Sequence, residues 1–322
     1  MSAQTTTSLS KAARRSILQR FGLLLVFLLL AAVLSILSDR FLTVNNLLNV
    51  FRQASINGIV SVGMTLVILT GGIDLSVGSI LALSAVIGAD LMTSGVPAFW
   101  SVLAALGIGA ALGAINGFVI TRGKIPPFIA TLGMLTVARG LTLMYTQGQP
   151  ITGLPESFRF LGAGSVGPIP MPIIVAGLTF LIGYVVLTRT RFGEHVYLIG
   201  DNPTSARLAG VPTDRVTTIV YAISGLCAAL AGLVLIARLD SAQPVIGQGY
   251  EFNAIAAVVV GGTSFAGGEG TLIGTLLGAL LMETLNNGLN LLNVSSLWEQ
   301  VFKGGVIALA LLFYKSISRS KR

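Results

Sequence analysis

The side chains able to carry out covalent or metal chemistry are few, and their spacing excludes most of it. His195 is the single histidine and Cys227 the single cysteine, so an H-E-x-x-H zinc site and an internal disulfide are both impossible. His195 reads as a loop residue, and Cys227 as a small packing residue within an apolar run. A P-loop needs Gly-Lys-Ser/Thr so that backbone N–H groups and the lysine can hold phosphates. The one Gly-Lys pair, Gly123-Lys124, is followed by Ile125. No G-x-S-x-G nucleophile motif occurs. No catalytic residue, metal site or cofactor is therefore expected on this chain, and if ATP drives it, a separate subunit binds the nucleotide and magnesium.

The remaining polar candidates lie in apolar surroundings. Asp74 falls in the glycine-rich stretch Gly71-Gly72-Ile73-Asp74-Leu75-Ser76-Val77-Gly78. It either caps a following helix or gates a path, since a carboxylate there is expensive to bury. Glu251 occupies a comparable position later in the chain, as a cap or as an outward contact with a partner. Asn57, Asn116, Asn286 and Asn290 can bond the hydroxyls of a passing solute or each other across helices. Arg139, Glu283, Glu299 and Lys303 read as structural pairs, or as relays if the protein moves protons.

The elements that must position these residues follow from composition. Hydrophobic residues make up 53% of the chain and charged residues 10%, against about 25% charged in soluble domains. The mean hydropathy is +0.87. So much apolar surface must face lipid. The 39 glycines suit closely packed membrane helices. Ten spans are expected, near 21–38, 54–70, 76–93, 98–121, 126–147, 171–188, 216–237, 253–266, 271–291 and 297–314, with the second and eighth short and discontinuous. The first reads as an uncleaved span rather than a signal peptide. Short tails, 1–20 and 316–322, flank a membrane domain over 21–315.

The net charge of +8 lies in the connecting segments, so it signals topology rather than nucleic-acid binding. With the N-terminus inside, fourteen Lys and Arg fall on the inner side, against Arg40, Arg52, Arg159 and Arg238 outside. Both termini are expected in the cytoplasm. Gly72-Ile73-Asp74-Leu75 lines up with Gly249-Tyr250-Glu251-Phe252, and Asn116-Gly117 with Asn287-Gly288, five spans apart. An odd shift implies an inverted repeat, with halves near 40–147 and 200–314 and a path at their interface. A rival alignment of Gly71-Gly72 with Gly267-Gly268 implies parallel copies.

The longest inner segment contains Asp201-Asn202-Pro203-Thr204-Ser205-Ala206-Arg207-Leu208-Ala209-Gly210-Val211-Pro212. Asp201 or Asn202 can cap a helix, Pro203 suits its first position, and Gly210 and Pro212 end it. Such a helix either docks in a partner's groove or is a structured connection.

This segment resembles the coupling helix of ATP-binding-cassette importer permeases. The stretch Gly71 to Ser79 resembles the signature of the ribose, xylose and related sugar permeases. So do Ser241-Ala242-Gln243-Pro244 through Glu251, Ala254 through Ser264, Pro127 through Leu132, and Asn286 through Leu292. The resemblance covers about residues 40–315. It implies an all-α polytopic permease of the bacterial inner membrane, working as a homodimer. It also implies a cytoplasmic ATPase that binds the coupling helices and a periplasmic sugar-binding protein. Residues 202, 203 and 205–210 (Asn202, Pro203, Ser205, Ala206, Arg207, Leu208, Ala209 and Gly210) become the coupling set. Gly71, Gly72, Asp74, Ser76, Gly78 and Glu251 become the signature or gating set. The alternatives are a proton-coupled sugar symporter and a branched-chain amino-acid permease.

Overall fold

The computed structural model describes residues 22–295, together with 298, 301, 304 and 305. Most of the expected tenth span and both tails lie outside the described residues, as do Glu299 and Lys303. Helices dominate: α1 (Gly22–Leu37), α2 (Val44–Leu69), α3 (Val77–Thr93), α4 (Ala98–Gly123) and α5 (Pro127–Thr146). After α6 (Glu156–Ala163) come α7 (Met171–Arg189), α8 (Arg191–Asp201), α9 (Pro203–Leu208), α10 (Thr213–Leu239), α11 (Tyr250–Val260) and α12 (Leu272–Leu291). The strands are two-residue clips. β1 (Ile151–Thr152) pairs antiparallel with β4 (Ser241–Ala242), and β2 (Ser165–Val166) with β3 (Ile169–Pro170). Among the described residues, six helices have the length and hydropathy to cross a membrane.

Helices α2 and α10 form the centre. In their most apolar windows 89% and 72% of residues are buried, against 17% in α5 and 22% in α7. The outer helices therefore present apolar side chains such as Trp100, Phe118, Phe128 and Leu181 outward, as a chain solvated by lipid must. Glycine sets the spacing of α4 on α10. Gly109, Gly113 and Gly117 recur every four residues on one face. A Cβ at Gly109 would lie 2.5 Å from the Gly225 carbonyl oxygen, and one at Gly117 2.5 Å from Thr218 Cα. This small-xxx-small register brings the two backbones together.

Two expected spans change. The second is not short: α2 begins ten residues early, at Val44. Its polar opening, with Asn46, Asn49 and Arg52, lowers the local hydropathy, yet the bundle satisfies it. Asn46 and Asn287 exchange amide hydrogen bonds of 2.9 and 2.8 Å, and Arg238 donates to Asn49. The eighth is a half-helix. α11 stops at Val260 because Gly261 and Gly262 turn the chain, Gly262 with φ +90°; residues 263–266 belong to a loop.

The bundle has two distinct ends. One carries α6, the β1–β4 clip and an ion pair between Arg159 and Asp240 at 2.9 Å. The other carries α8, α9 and the turns after α2 and α11.

Candidate functional site

The first element of the site is the unwound segment between α2 and α3. Gly71 takes φ +77°, and a side chain at Gly72 would collide with the Tyr221 hydroxyl; both positions require glycine. Asp74 is fully buried. Its Oδ1 accepts from the Ser76 backbone N–H (3.0 Å) and Ser76 Oγ (2.6 Å), and its Oδ2 from Ser224 Oγ (2.9 Å). Asn116 Nδ2 donates to Ser76 Oγ at 2.8 Å, and Thr131 Oγ1 to the Ile73 carbonyl at 3.2 Å. Helices α10, α4 and α5 thus each contribute one polar side chain to the break. Asp74 does not sit at the helix cap: Ser76 does, without a side-chain cap bond. Asp74 instead folds the turn before it. Ser224 lies eleven residues into α10, about 16 Å along a helix of about 40 Å, so the carboxylate sits near mid-depth.

A second unwound segment follows β4. Arg139 of α5 donates to the carbonyls of Pro244 (2.8 Å), Ile246 (3.0 Å) and Gly78 (3.4 Å). These acceptors account for a cation within a span better than a relay does. Gly247 and Gly249 have φ of +80° and +84°. Glu251 lies within the bundle, not on an outer surface, and accepts from the Gly249 N–H at 3.2 Å. A Cβ at Gly78 would strike the Gly247 carbonyl and the Glu251 carboxylate. The starts of α3 and α11 therefore meet, each with an acidic residue close by, where helix dipoles favour negative charge.

The third element is the α8–α9 corner. Asn202, not Asp201, caps α9, its Oδ1 accepting from the N–H groups of Thr204 and Ser205 at 3.0 Å each. Gly210 ends it with φ +83°, and the Val211 N–H bonds back to the Ala206 carbonyl. Ala206 is the one buried residue of α9. Leu208 is 86% exposed, an apolar anchor with nothing on it. Arg207 pairs with Asp214 at 3.0 Å. Pro203, Ser205, Ala209 and Gly210 are exposed.

The corner is locked to the end of α2 and to the loop after α11. The Gly268 N–H donates to the Leu69 carbonyl at 3.0 Å. A Cβ on Gly200 would collide with both of those atoms, and one on Gly267 would lie 2.8 Å from Gly200 Cα. Tyr197 Oη donates to the Gly270 carbonyl at 2.9 Å. Burial pushes this phenol above its usual range, so it stays a donor. The base of α9, the end of α2 and the loop after α11 are thus joined backbone to backbone. Sequence reasoning missed Tyr197, Gly200, Ser224 and Tyr221. Glycine beside an Asn-Pro start was the signal available for Gly200; the others carry none.

The four candidate asparagines do not form one cluster. Asn116 belongs to the first break. Asn57 is buried with neither amide atom bonded. Asn286 donates to Glu283 at 3.4 Å, while its Oδ1 is unbonded. Asn290 is exposed and donates to the Asn286 carbonyl.

A lipid-facing helical bundle interrupted by buried glycine breaks, with the capped α9 helix seated on the end of α2, is the architecture of a polytopic membrane protein. The chain belongs to the branched-chain amino acid transport system / permease component family, whose model matches residues 46–311. Among curated proteins it is 48% identical over 293 residues to the ribose import permease of Escherichia coli, covering 90% of this chain and 91% of that protein. It is 51% identical over 298 residues to the ribose import permease of Bacillus subtilis, covering 92% of each. The D-allose transport system permease of Escherichia coli is 39% identical over 302 residues, 93% of each. No solved structure matches.

Proposed function

We propose that this chain is the permease subunit of an ATP-driven importer carrying a monosaccharide, ribose first, across the bacterial inner membrane. The observation that carries the reading is the junction at Gly200, which makes α9 continuous with the end of α2 and the loop after α11. Force applied to α9 reaches both without an intervening flexible side chain. The partner supplying that force is an ATPase that holds the nucleotide and magnesium, since this chain has no P-loop. The exposed Leu208 suits a groove on that partner.

Two copies of the chain form the path, a periplasmic binding protein delivers the sugar, and the excess of Lys and Arg puts the α9 end and both termini in the cytoplasm. Ten spans and an inverted repeat complete the reading. The repeat is favoured by the opposed starts of α3 and α11, each beside an acidic residue. The family description names branched-chain amino acids, but relatives at 39–51% identity are named for ribose and allose, which favours a sugar.

The test is uptake of labelled ribose into vesicles holding this chain, its ATPase and the binding protein. Uptake that requires ATP and all three parts is expected. Uptake by the chain alone under a proton gradient would overturn the reading in favour of a symporter.

A further inference from the structure

Helix α7 packs on α2 at two glycines. A Cβ at Gly58 would lie 3.0 Å from the Phe180 ring, and one at Gly183 would lie 2.9 Å from Val62 and 3.0 Å from Leu272, at the start of α12. Beyond that second approach the three helices part. A cavity of about 320 Å³ remains between them, within the about 300–1,000 Å³ range of ligand pockets. Ala54 and Ser55 of α2 form its floor, Ile173 and Phe180 of α7 one wall, and Leu276 and Leu280 of α12 the other.

The chemistry of the lining narrows the occupant. Its one polar side chain, Ser55, already donates from Oγ to the Phe51 carbonyl at 2.6 Å. Water would find no partners there, and an empty apolar void forfeits dispersion contacts along its walls. Phe51, Gly177 and Leu276 line the cavity and are exposed, so they mark its mouth. The adjoining surface of α7, with Leu178, Leu181 and Ile182, is exposed and apolar. The cavity is therefore continuous with the lipid-facing surface of the bundle, and the medium at its mouth is hydrocarbon. It is also short. From Ile173 to Phe180 it runs about 10 Å along α7, a helix of about 28 Å. A packed transmembrane helix needs a seam over most of a span. An extended peptide would bring backbone N–H and C=O groups that nothing here satisfies. A flexible, unbranched hydrocarbon chain needs neither.

We infer that this cavity seats one acyl chain of a membrane phospholipid, held between α7 and α12 with α2 beneath it. The chain enters sideways from the bilayer. The headgroup stays outside, because no charged side chain lines the cavity. The lipid thereby completes the packing of α2, whose far end, at Leu69, meets the loop that seats α9. This seat exists whether or not the protein carries a sugar, so it stands apart from the transport reading.

The experiment uses the full chain in vesicles of phosphatidylcholine whose acyl chain carries a mid-chain diazirine, with the labelled residues mapped by mass spectrometry. Labelling of Leu178, Leu181 and Ile182 reports ordinary surface lipid. Labelling of Ala54 or Ser55, both buried, requires a chain inside the cavity and is the expected result. An added Cβ at Gly177 meets nothing within 4 Å, and glycine is unfavourable inside a helix. Gly177→Phe should therefore fold, with a melting temperature unchanged or higher. It should reduce labelling of Ala54 and Ser55 to background while leaving that of Leu178, Leu181 and Ile182 intact, and Gly177→Ala should keep both. The inference is overturned if Ala54 and Ser55 are unlabelled in the wild type, or if Gly177→Phe leaves their labelling unchanged. It is equally overturned if a free fatty acid with the same diazirine labels them and the phospholipid does not. Recovery of Gly177→Cys as a disulfide-linked dimer would assign the recess to a second copy and overturn it too.

Discussion

Replacing Gly200 by alanine isolates the connection between α9 and the rest of the fold. The new methyl would meet the Leu69 carbonyl oxygen and the Gly268 nitrogen, with the Gly267 carbonyl carbon 3.0 Å away. Those first two atoms are bonded to each other at 3.0 Å. The methyl therefore faces backbone on every side and has no flexible side chain to displace. Opening the junction removes one hydrogen bond, about 1 kcal/mol net, and adds overpacking of about 1–3 kcal/mol. The sum, about 2–4 kcal/mol, is a factor of about 30 to 1,000 in the population of the closed junction.

The control is Gly210→Ala, also at one end of α9, where an added Cβ meets nothing within 4 Å but φ is +83°. It carries only left-handed strain, about 1–2 kcal/mol. Melting temperature, ATP hydrolysis by the complex and labelled-sugar uptake are measured for both variants. Gly200→Ala should keep ATP hydrolysis while uptake falls at least about tenfold, and Gly210→Ala should retain more of the coupling between them. If Gly200→Ala transports like the wild type, or the two variants are indistinguishable in uptake and melting, the junction does not transmit motion.

Leu208→Glu should leave the melting temperature of the isolated chain unchanged, because the side chain is 86% exposed, while abolishing co-purification of the ATPase. Gly113→Val should destabilise the chain by more than the about 3 kcal/mol upper range of ordinary overpacking, seen as a steep fall in melting temperature, because its branched side chain must enter the Tyr221 backbone on α10. A retained melting temperature would mean that α4 can move away from α10 freely.

Much of the architecture was legible without coordinates, for an identifiable reason. Hydropathy over about 20 residues reports directly on burial in lipid, so the starts and ends of α3, α4, α5, α7 and α12 fall within two residues of expectation. The α9 helix was equally readable, because Asn202, Pro203 and Gly210 act on their own backbone neighbours. The misjudged elements are those whose polarity is cancelled by distant partners. The opening of α2 looked like a loop because Asn46 and Asn49 are polar, and only Asn287 and Arg238, roughly two hundred residues away in sequence, make it a helix inside the bundle.

The candidate site divides along the same line. Sequence by itself determined that the chain lives in a membrane, holds no nucleotide or metal motif, and carries glycine breaks next to Asp74 and Glu251. Those are consequences of composition and local conformational freedom. Only the tertiary structure decided that Asp74 is bonded through Ser76 and Ser224, that Glu251 is turned inward against Gly78, and that Gly200 seats α9 on Leu69 and Gly268. Apart from the Asp74–Ser76 bond, which is local, each of these contacts joins segments far apart in the chain, and its existence depends on the close approach of packed elements that local sequence does not encode.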